Sequence, residues 1–157
     1  VTSAVVSEVG AYRTGIRIAP VSHANGVTDT SPAAVFFPLV QELSRFNLAY
    51  VHVIEGETQG ARAFYGFDFH ALRKAFDGPW MVNNGYTLEM ATEAVASGYA
   101  DLVAFGRYFI ANPDLVTRFK KNVPLNEPER ATLYGGGVKG YTDYPFYSNP
   151  INEDDIK

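Results

Sequence analysis

There is no cysteine in this chain. That absence excludes a disulfide framework, a thiolate nucleophile and any Cys-ligated metal. Tryptophan is almost as scarce, a single residue against 11 Phe and 10 Tyr. The aromatic mass is therefore phenyl and phenol rings, enough for a core and pocket walls and out of keeping with disorder. No apolar run approaches the roughly 18 residues that a membrane-spanning helix requires, and no signal-peptide pattern opens the chain. Basic stretches are missing too, and a net charge of −4 gives no electrostatic footprint for nucleic acid. None of the three histidines has metal-ligand spacing to another, and no Ser-His-Asp arrangement stands out. A soluble, cytoplasmic protein is the expectation.

What is present suffices for one packed domain: 157 residues, 46% of them hydrophobic. Apolar residues at Val1, Val5, Val6 and Val9 keep helical spacing, and Gly10 ends the run as a C-terminal cap would. A chain that opens inside a helix leads to the expectation of further polypeptide, upstream or on another chain. A strand is predicted over residues 14–19, followed by a polar loop over 21–31. Ser31-Pro32 then opens a helix to about Phe46, with Ser as N-cap and Pro at the first helical position. Residues 49–54 read as a buried strand closed by Glu55-Gly56, and 56–66 as a Gly-containing loop. A helix over 68–76, a strand over 80–82 and the turn Asn83-Asn84-Gly85-Tyr86 come next. Thr87 caps a helix over 88–97, and 101–105 is a fourth strand leading into Gly106-Arg107. Helices over 108–111 and 114–121 follow, and beyond Val123 the chain turns loop-like. Residues 1–147 carry the fold without an internal boundary or repeat, and 148–157 read as a carboxyl-terminal tail.

Strict alternation of helices with nearly all-apolar strands means a parallel sheet covered by helices. That fits a doubly wound sheet or part of a (β/α)8 barrel. A full barrel takes about 250 residues, so four βα units make half of one. In either architecture ligands sit at the carboxyl ends of the strands, which directs attention to Arg17, Glu55, Asn84-Gly85 and Gly106-Arg107. Gly106 lets backbone approach an anion at a helix start, and Arg107 adds a fork of donors. Asn84-Gly85 occupies the equivalent place on the preceding strand. Together they suit a phosphate, although each glycine read alone is equally a tight turn. Arg17 alternates with Ile16 and Ile18, so its side chain points away from theirs. A cation inside a barrel needs an anionic or carbonyl-rich partner, and an ion pair with Glu55 or another carboxylate is the competing reading. Of the histidines, His52 reads as a core residue, His70 as solvated on a helix, and His23 as a loop residue near the barrel mouth.

These residues carry a resemblance. Gly15-Ile-Arg-Ile-Ala-Pro20, Ala49-Tyr-Val-His-Val-Ile-Glu55, Asn83-Asn-Gly-Tyr86 and the stretch from Asp101 through Phe105-Gly106-Arg107 to Leu115 closely resemble the old yellow enzyme family. Tyr134-Gly-Gly-Gly and Gly140-Tyr-Thr-Asp-Tyr-Pro145 resemble that family's carboxyl end. The likeness covers roughly residues 1–147 and is nearest to NADPH-dependent FMN ene-reductases acting on N-ethylmaleimide and similar compounds. It implies an α/β fold: the carboxyl-terminal half of a (β/α)8 TIM barrel, about four βα units, completed by another chain or segment. It also implies FMN as cofactor, NADPH as hydride donor, and hydride delivery from flavin N5 to the β-carbon of activated alkenes such as enones, maleimides and nitro compounds. By the same resemblance Arg17 lies near flavin N1 and O2, while Asn84, Gly85, Gly106 and Arg107 hold the FMN phosphate. Tyr134 stands at the substrate pocket and Leu133 against the ring's edge, where many relatives have an aromatic residue. The family's His-x-x-His or His-x-x-Asn pair, its flavin-contacting Thr and Gln, and its proton-delivering Tyr belong to the amino-terminal half. A partner polypeptide supplying that half is therefore expected. The alternative is a non-catalytic half-barrel that self-associates and only binds FMN or another phosphate ligand.

Overall fold

Short apolar strands separated by capped helices have few ways to bury both partners, and a parallel sheet is the usual one. The computed structural model describes residues 1–147 with the exception of 27, 59 and 63–65. The expected tail, 148–157, lies outside the described residues. By density of internal contacts the chain divides into two compact units, Val1–Ala104 and a second that begins at Phe105. The sequence shows no boundary there.

The first unit opens with helix α1 (Thr2–Val9) and a 3-10 turn (Ala11–Arg13), then strand β1 (Gly15–Ile18) and a second 3-10 turn (Ala24–Gly26). Helix α2 (Pro32–Ser44), strand β2 (Tyr50–Ile54), helix α3 (Phe69–Lys74), strand β3 (Trp80–Asn83), helix α4 (Leu88–Ala96) and strand β4 (Leu102–Val103) follow. The strands form one sheet in the order β1-β2-β3-β4, every neighbouring pair parallel. Two of the helix starts are set by side-chain caps. Asp68 accepts from the Ala71 amide at 2.9 Å and Thr87 from the Met90 amide at 3.3 Å. Ser31, expected to cap α2, makes no such bond. Its amide instead donates to Asp29 Oδ1 at 2.7 Å, and Pro32, preset for helical φ, starts the helix.

Period-two alternation separates the two faces of the sheet. Val51, Val53, Trp80 and Val82 are fully buried on one face, with Ile18 beside them. Val40 and Leu43 of α2, Leu72 of α3, and Ala91 and Ala94 of α4 are the buried residues of the helices. Each large aliphatic side chain buried in this way contributes about 1.5–3 kcal/mol. The other face carries one row across all four strands: Arg17 opposite His52, His52 opposite Met81, and Met81 opposite Leu102. Arg17 and Leu102 are exposed, while His52 and Met81 are half-buried. At the amino ends of the strands, Asp101 Oδ2 accepts from the Trp80 amide at 2.8 Å and pairs with Arg73 at 3.3 Å.

The second unit contains helices α5 (Arg107–Ala111) and α6 (Leu115–Lys121) and a long irregular segment. That segment is irregular but not free. Arg118, 4% exposed, donates to Asp114 Oδ1 at 2.7 Å, to the Pro124 carbonyl at 2.7 Å and to the Pro145 carbonyl at 2.9 Å. Fully buried Asn112 accepts from the Asn126 amide at 2.6 Å and donates to the Asn126 carbonyl at 3.1 Å. A buried cation is tolerable only when so satisfied. Arg118 holds the Asp114 carboxyl below the usual carboxylate range by hydrogen bonding to it. No helix among the described residues is long and apolar enough to cross a membrane.

Candidate functional site

Strand alternation decides where Arg17 points. Its neighbour Ile18 is buried on the helix-covered face, so Arg17 lies on the opposite one. There its side chain is exposed rather than buried, contrary to the cost argument drawn from the sequence. The competing ion pair with Glu55 does not form: among the described residues no carboxylate pairs with Arg17. Its row neighbour His52 is held below the usual imidazole range, first by burial and second by the positive charge of Arg17. The row thus sets a solvent-open guanidinium beside a neutral ring. His52 Nε2 is buried without a hydrogen-bond partner among the described residues, so the expected satisfied core histidine is an unsatisfied one.

The turn after β3 is the second feature. Asn84 adopts φ 116° and Gly85 φ 67°, left-handed backbone that glycine takes without strain and asparagine more readily than most residues. A Cβ placed on Gly85 would meet nothing within 4 Å, so the space beside this backbone is open. Asn84 is buried, and its Nδ2 donates to the Glu55 and Glu57 carbonyls, the latter at 2.9 Å. Arg17 on β1 and this turn after β3 lie two strand spacings apart, roughly 10 Å at ordinary sheet geometry. Opposite ends of an elongated ligand can meet both.

Glu55, at the carboxyl end of β2, is 4% exposed and accepts from Tyr86 Oη at 2.6 Å and from Tyr99 Oη. Both phenols are pushed well above the ordinary tyrosine value, chiefly by burial and then by Glu55. The Arg62 guanidinium sits 4.5 Å from the centre of the Tyr86 ring. A cavity of about 1270 Å³ borders this cluster and is also lined by Phe69 and His70 of α3 and Met90 and Glu93 of α4. Sequence reasoning placed Glu55 at a strand end but missed its two phenol donors, which lie 31 and 44 residues away. His70 is exposed as expected but stacks on Tyr99 at 4.3 Å. His23, in its loop, bonds Glu57.

In the second unit Gly106 is the exposed residue preceding α5, and Arg107 is that helix's first residue, half-buried. Gly106 has φ −92° and open space where a Cβ would stand, so no tight turn forces glycine there. Leu133 is 3% exposed, whereas Tyr134 beside it is 80% exposed. No group of His, Asp and Glu able to hold a metal occurs among the described residues.

The chain matches the model of the NADH:flavin oxidoreductase / NADH oxidase family over residues 1–126. It is 43% identical to the putative 12-oxophytodienoate reductase 12 of Oryza sativa subsp. japonica, over 93% of this chain and 38% of that protein. With 12-oxophytodienoate reductase 2 of Arabidopsis thaliana it shares 42% identity, over 92% of this chain and 40% of the relative. Among solved structures, the old yellow enzyme from Trypanosoma cruzi superposes with a TM-score of 0.86 at 37% identity, covering 94% of this chain and 38% of that one. Morphinone reductase in complex with tetrahydroNAD gives 0.83 at 41% identity, over 96% and 40%. The chain spans about two fifths of the length of these relatives. Its four parallel strands and their helices are those of a partial (β/α)8 barrel, and it belongs to the NADH:flavin oxidoreductase / NADH oxidase family, the old yellow enzymes.

Proposed function

We propose that this chain is the carboxyl-terminal half of an FMN-dependent ene-reductase, active when an amino-terminal half-barrel supplies the remaining strands. The observation that carries the reading is Arg17: an exposed guanidinium without a described carboxylate partner, on the face of the sheet turned away from the helix-covered core. FMN is the family's cofactor, and the first unit fits it. Arg17 offers an exposed cation for the ring, and an open turn of positive φ lies two strands away for the phosphate. Bound FMN supplies hydride transfer from NADPH to the β-carbon of an activated alkene.

The site residues of the chain then have separate tasks. Arg17 holds negative charge at the N1/O2 edge of the ring, a charge-assisted contact stronger than a neutral hydrogen bond. His52, kept neutral, adds no second cation beside it. Asn84 and Gly85 offer backbone to the phosphate. Gly106 and Arg107 are proposed for the same group on the sequence resemblance alone, as are Leu133 for the ring's edge and Tyr134 for the substrate pocket.

The test mixes this chain with an amino-terminal half-barrel and FMN, and follows alkene-dependent NADPH oxidation. Activity in the mixture, absent from either polypeptide alone, is the expected result. Arg17→Met is expected to lower the turnover roughly 10- to 100-fold, from the ~1.5–3 kcal/mol of a hydrogen bond to a charged group. Flavin bound without alkene reduction would favour the self-associating, non-catalytic half-barrel. Absence of flavin binding in every mixture overturns both readings.

A further inference from the structure

Glu55 is a buried carboxylate that no step of the reaction requires, yet the strand-end chemistry of the first unit converges on it. Four hydrogen bonds tie the Asn83–Tyr86 turn to the Glu55–Glu57 segment. The Glu55 amide donates to the Asn83 carbonyl at 3.1 Å. Asn84 Nδ2 donates to the carbonyls of Glu55 and Glu57. Tyr86 Oη closes the set on Glu55 Oε2 at 2.6 Å. Tyr99 occupies the other carboxylate oxygen, so Glu55 cannot turn away from Tyr86 without stranding a phenol.

The turn needs such a clamp. Two consecutive residues with positive φ, one of them not glycine, form an unfavourable backbone that persists only where its surroundings over-determine it. Backbone hydrogen bonds fix the strand end, and Asn84 fixes its own side chain. Tyr86, on the far side of Gly85, is anchored through Glu55 and covered by Arg62. Burial and Glu55 together keep both phenols protonated, so they remain donors well above neutral pH.

We propose that Glu55 is a positioning residue for the phosphate-binding turn: acting through Tyr86, it holds Asn84 and Gly85 in left-handed backbone and so sets the preference for a phosphorylated flavin over its dephosphorylated form. The inference rests on the reading of Asn84-Gly85 as a phosphate contact. Glu55 touches neither the ring nor the substrate in this scheme. Its loss therefore weakens binding of the phosphate and leaves the rest of the flavin's binding as it is.

The test titrates the full 157-residue chain with FMN and with riboflavin, reading flavin fluorescence anisotropy. In the unsubstituted chain FMN binds more tightly than riboflavin. Glu55→Ala is expected to lower the FMN-to-riboflavin affinity ratio by about tenfold, the equivalent of one hydrogen bond to a charged group. Tyr86→Phe, which keeps the ring over which Arg62 stacks, lowers the same ratio with less disturbance to packing and serves if Glu55→Ala does not fold. Glu55→Gln keeps an acceptor for Tyr86 and restores most of the ratio. An unchanged ratio in Tyr86→Phe, or an equal loss of FMN and riboflavin affinity in the folded variants, overturns the role of Glu55. If the unsubstituted chain shows no preference for FMN, the phosphate reading of the turn falls first, and that outcome is distinguishable from the other two.

Discussion

His52 shows how one side chain records its neighbours. It lies in the row between Arg17 on β1 and Met81 on β3, so Arg17 is the one charge facing it along that row. Burial and that charge hold its pKa below the ordinary imidazole value. A histidine whose folded pKa is lowered binds fewer protons than its unfolded counterpart, so stability grows as pH rises. The contribution is complete above the unfolded value near 6.5 and is lost as pH falls below it. We expect urea midpoints of the chain to decline between about pH 7 and 5, and His52→Leu to flatten part of that decline. An identical slope in the variant would show that other groups carry the acid sensitivity. Residue alternation alone turned Arg17 away from Ile16 and Ile18. The sequence did not reveal that Arg17 stays exposed or that His52 Nε2 goes unpartnered, because both depend on register between strands 35 positions apart, Arg17 opposite His52.

At the scale of elements, α2 carries a visible defect. Pro38 lies in the middle of Pro32–Ser44, where it has no amide hydrogen to donate to the carbonyl of Ala34. Its ring also crowds the preceding turn. Pro38 is exposed, so removing it opens no cavity. Pro38→Ala is expected to stabilise the chain by up to ~3 kcal/mol, seen as a raised Tm and urea midpoint. A lowered midpoint would mean that Pro38 is needed to seat Val40 and Leu43, the buried residues of α2. Apart from that proline, most elements were legible. The four strands lie within a residue or two of their predicted positions, because apolar runs bounded by Gly, Pro and Asp leave little freedom. Asp68 and Thr87 cap as their residue types suggest. β4 is shorter than the predicted 101–105, although the amides of Asp101 and Ala104 still bond to Trp80 and Val82 beyond its assigned ends. The segment after Val123 read only as loop, since the Arg118 contacts that organise it join residues up to 27 apart in sequence.

The whole molecule poses a question of closure. β1 pairs only with β2 and β4 only with β3, so each outer strand has one edge without a partner among the described residues. Open parallel edges and a partly apolar exposed face are unusual in a finished fold, because both invite association. In a closed barrel the inward-pointing side chains pack in layers, and the row holding Met81 and Leu102 would become part of such a layer. Leu102, 45% exposed here, separates the two states. A lysine at that position costs the chain by itself little, within about 0.5 kcal/mol, as for other exposed sites. Inside a closed barrel the same ammonium would be desolvated without a partner, at a cost of several kcal/mol. Leu102→Lys is therefore expected to leave the thermal unfolding of this chain unchanged while reducing its association with an amino-terminal half-barrel by a hundredfold or more. Sedimentation of the mixture reads the association, and circular dichroism on the same samples reads the fold. Equal association of the variant and the unsubstituted chain would mean that this face stays wet in the assembly, and that the strands do not close into a barrel around it.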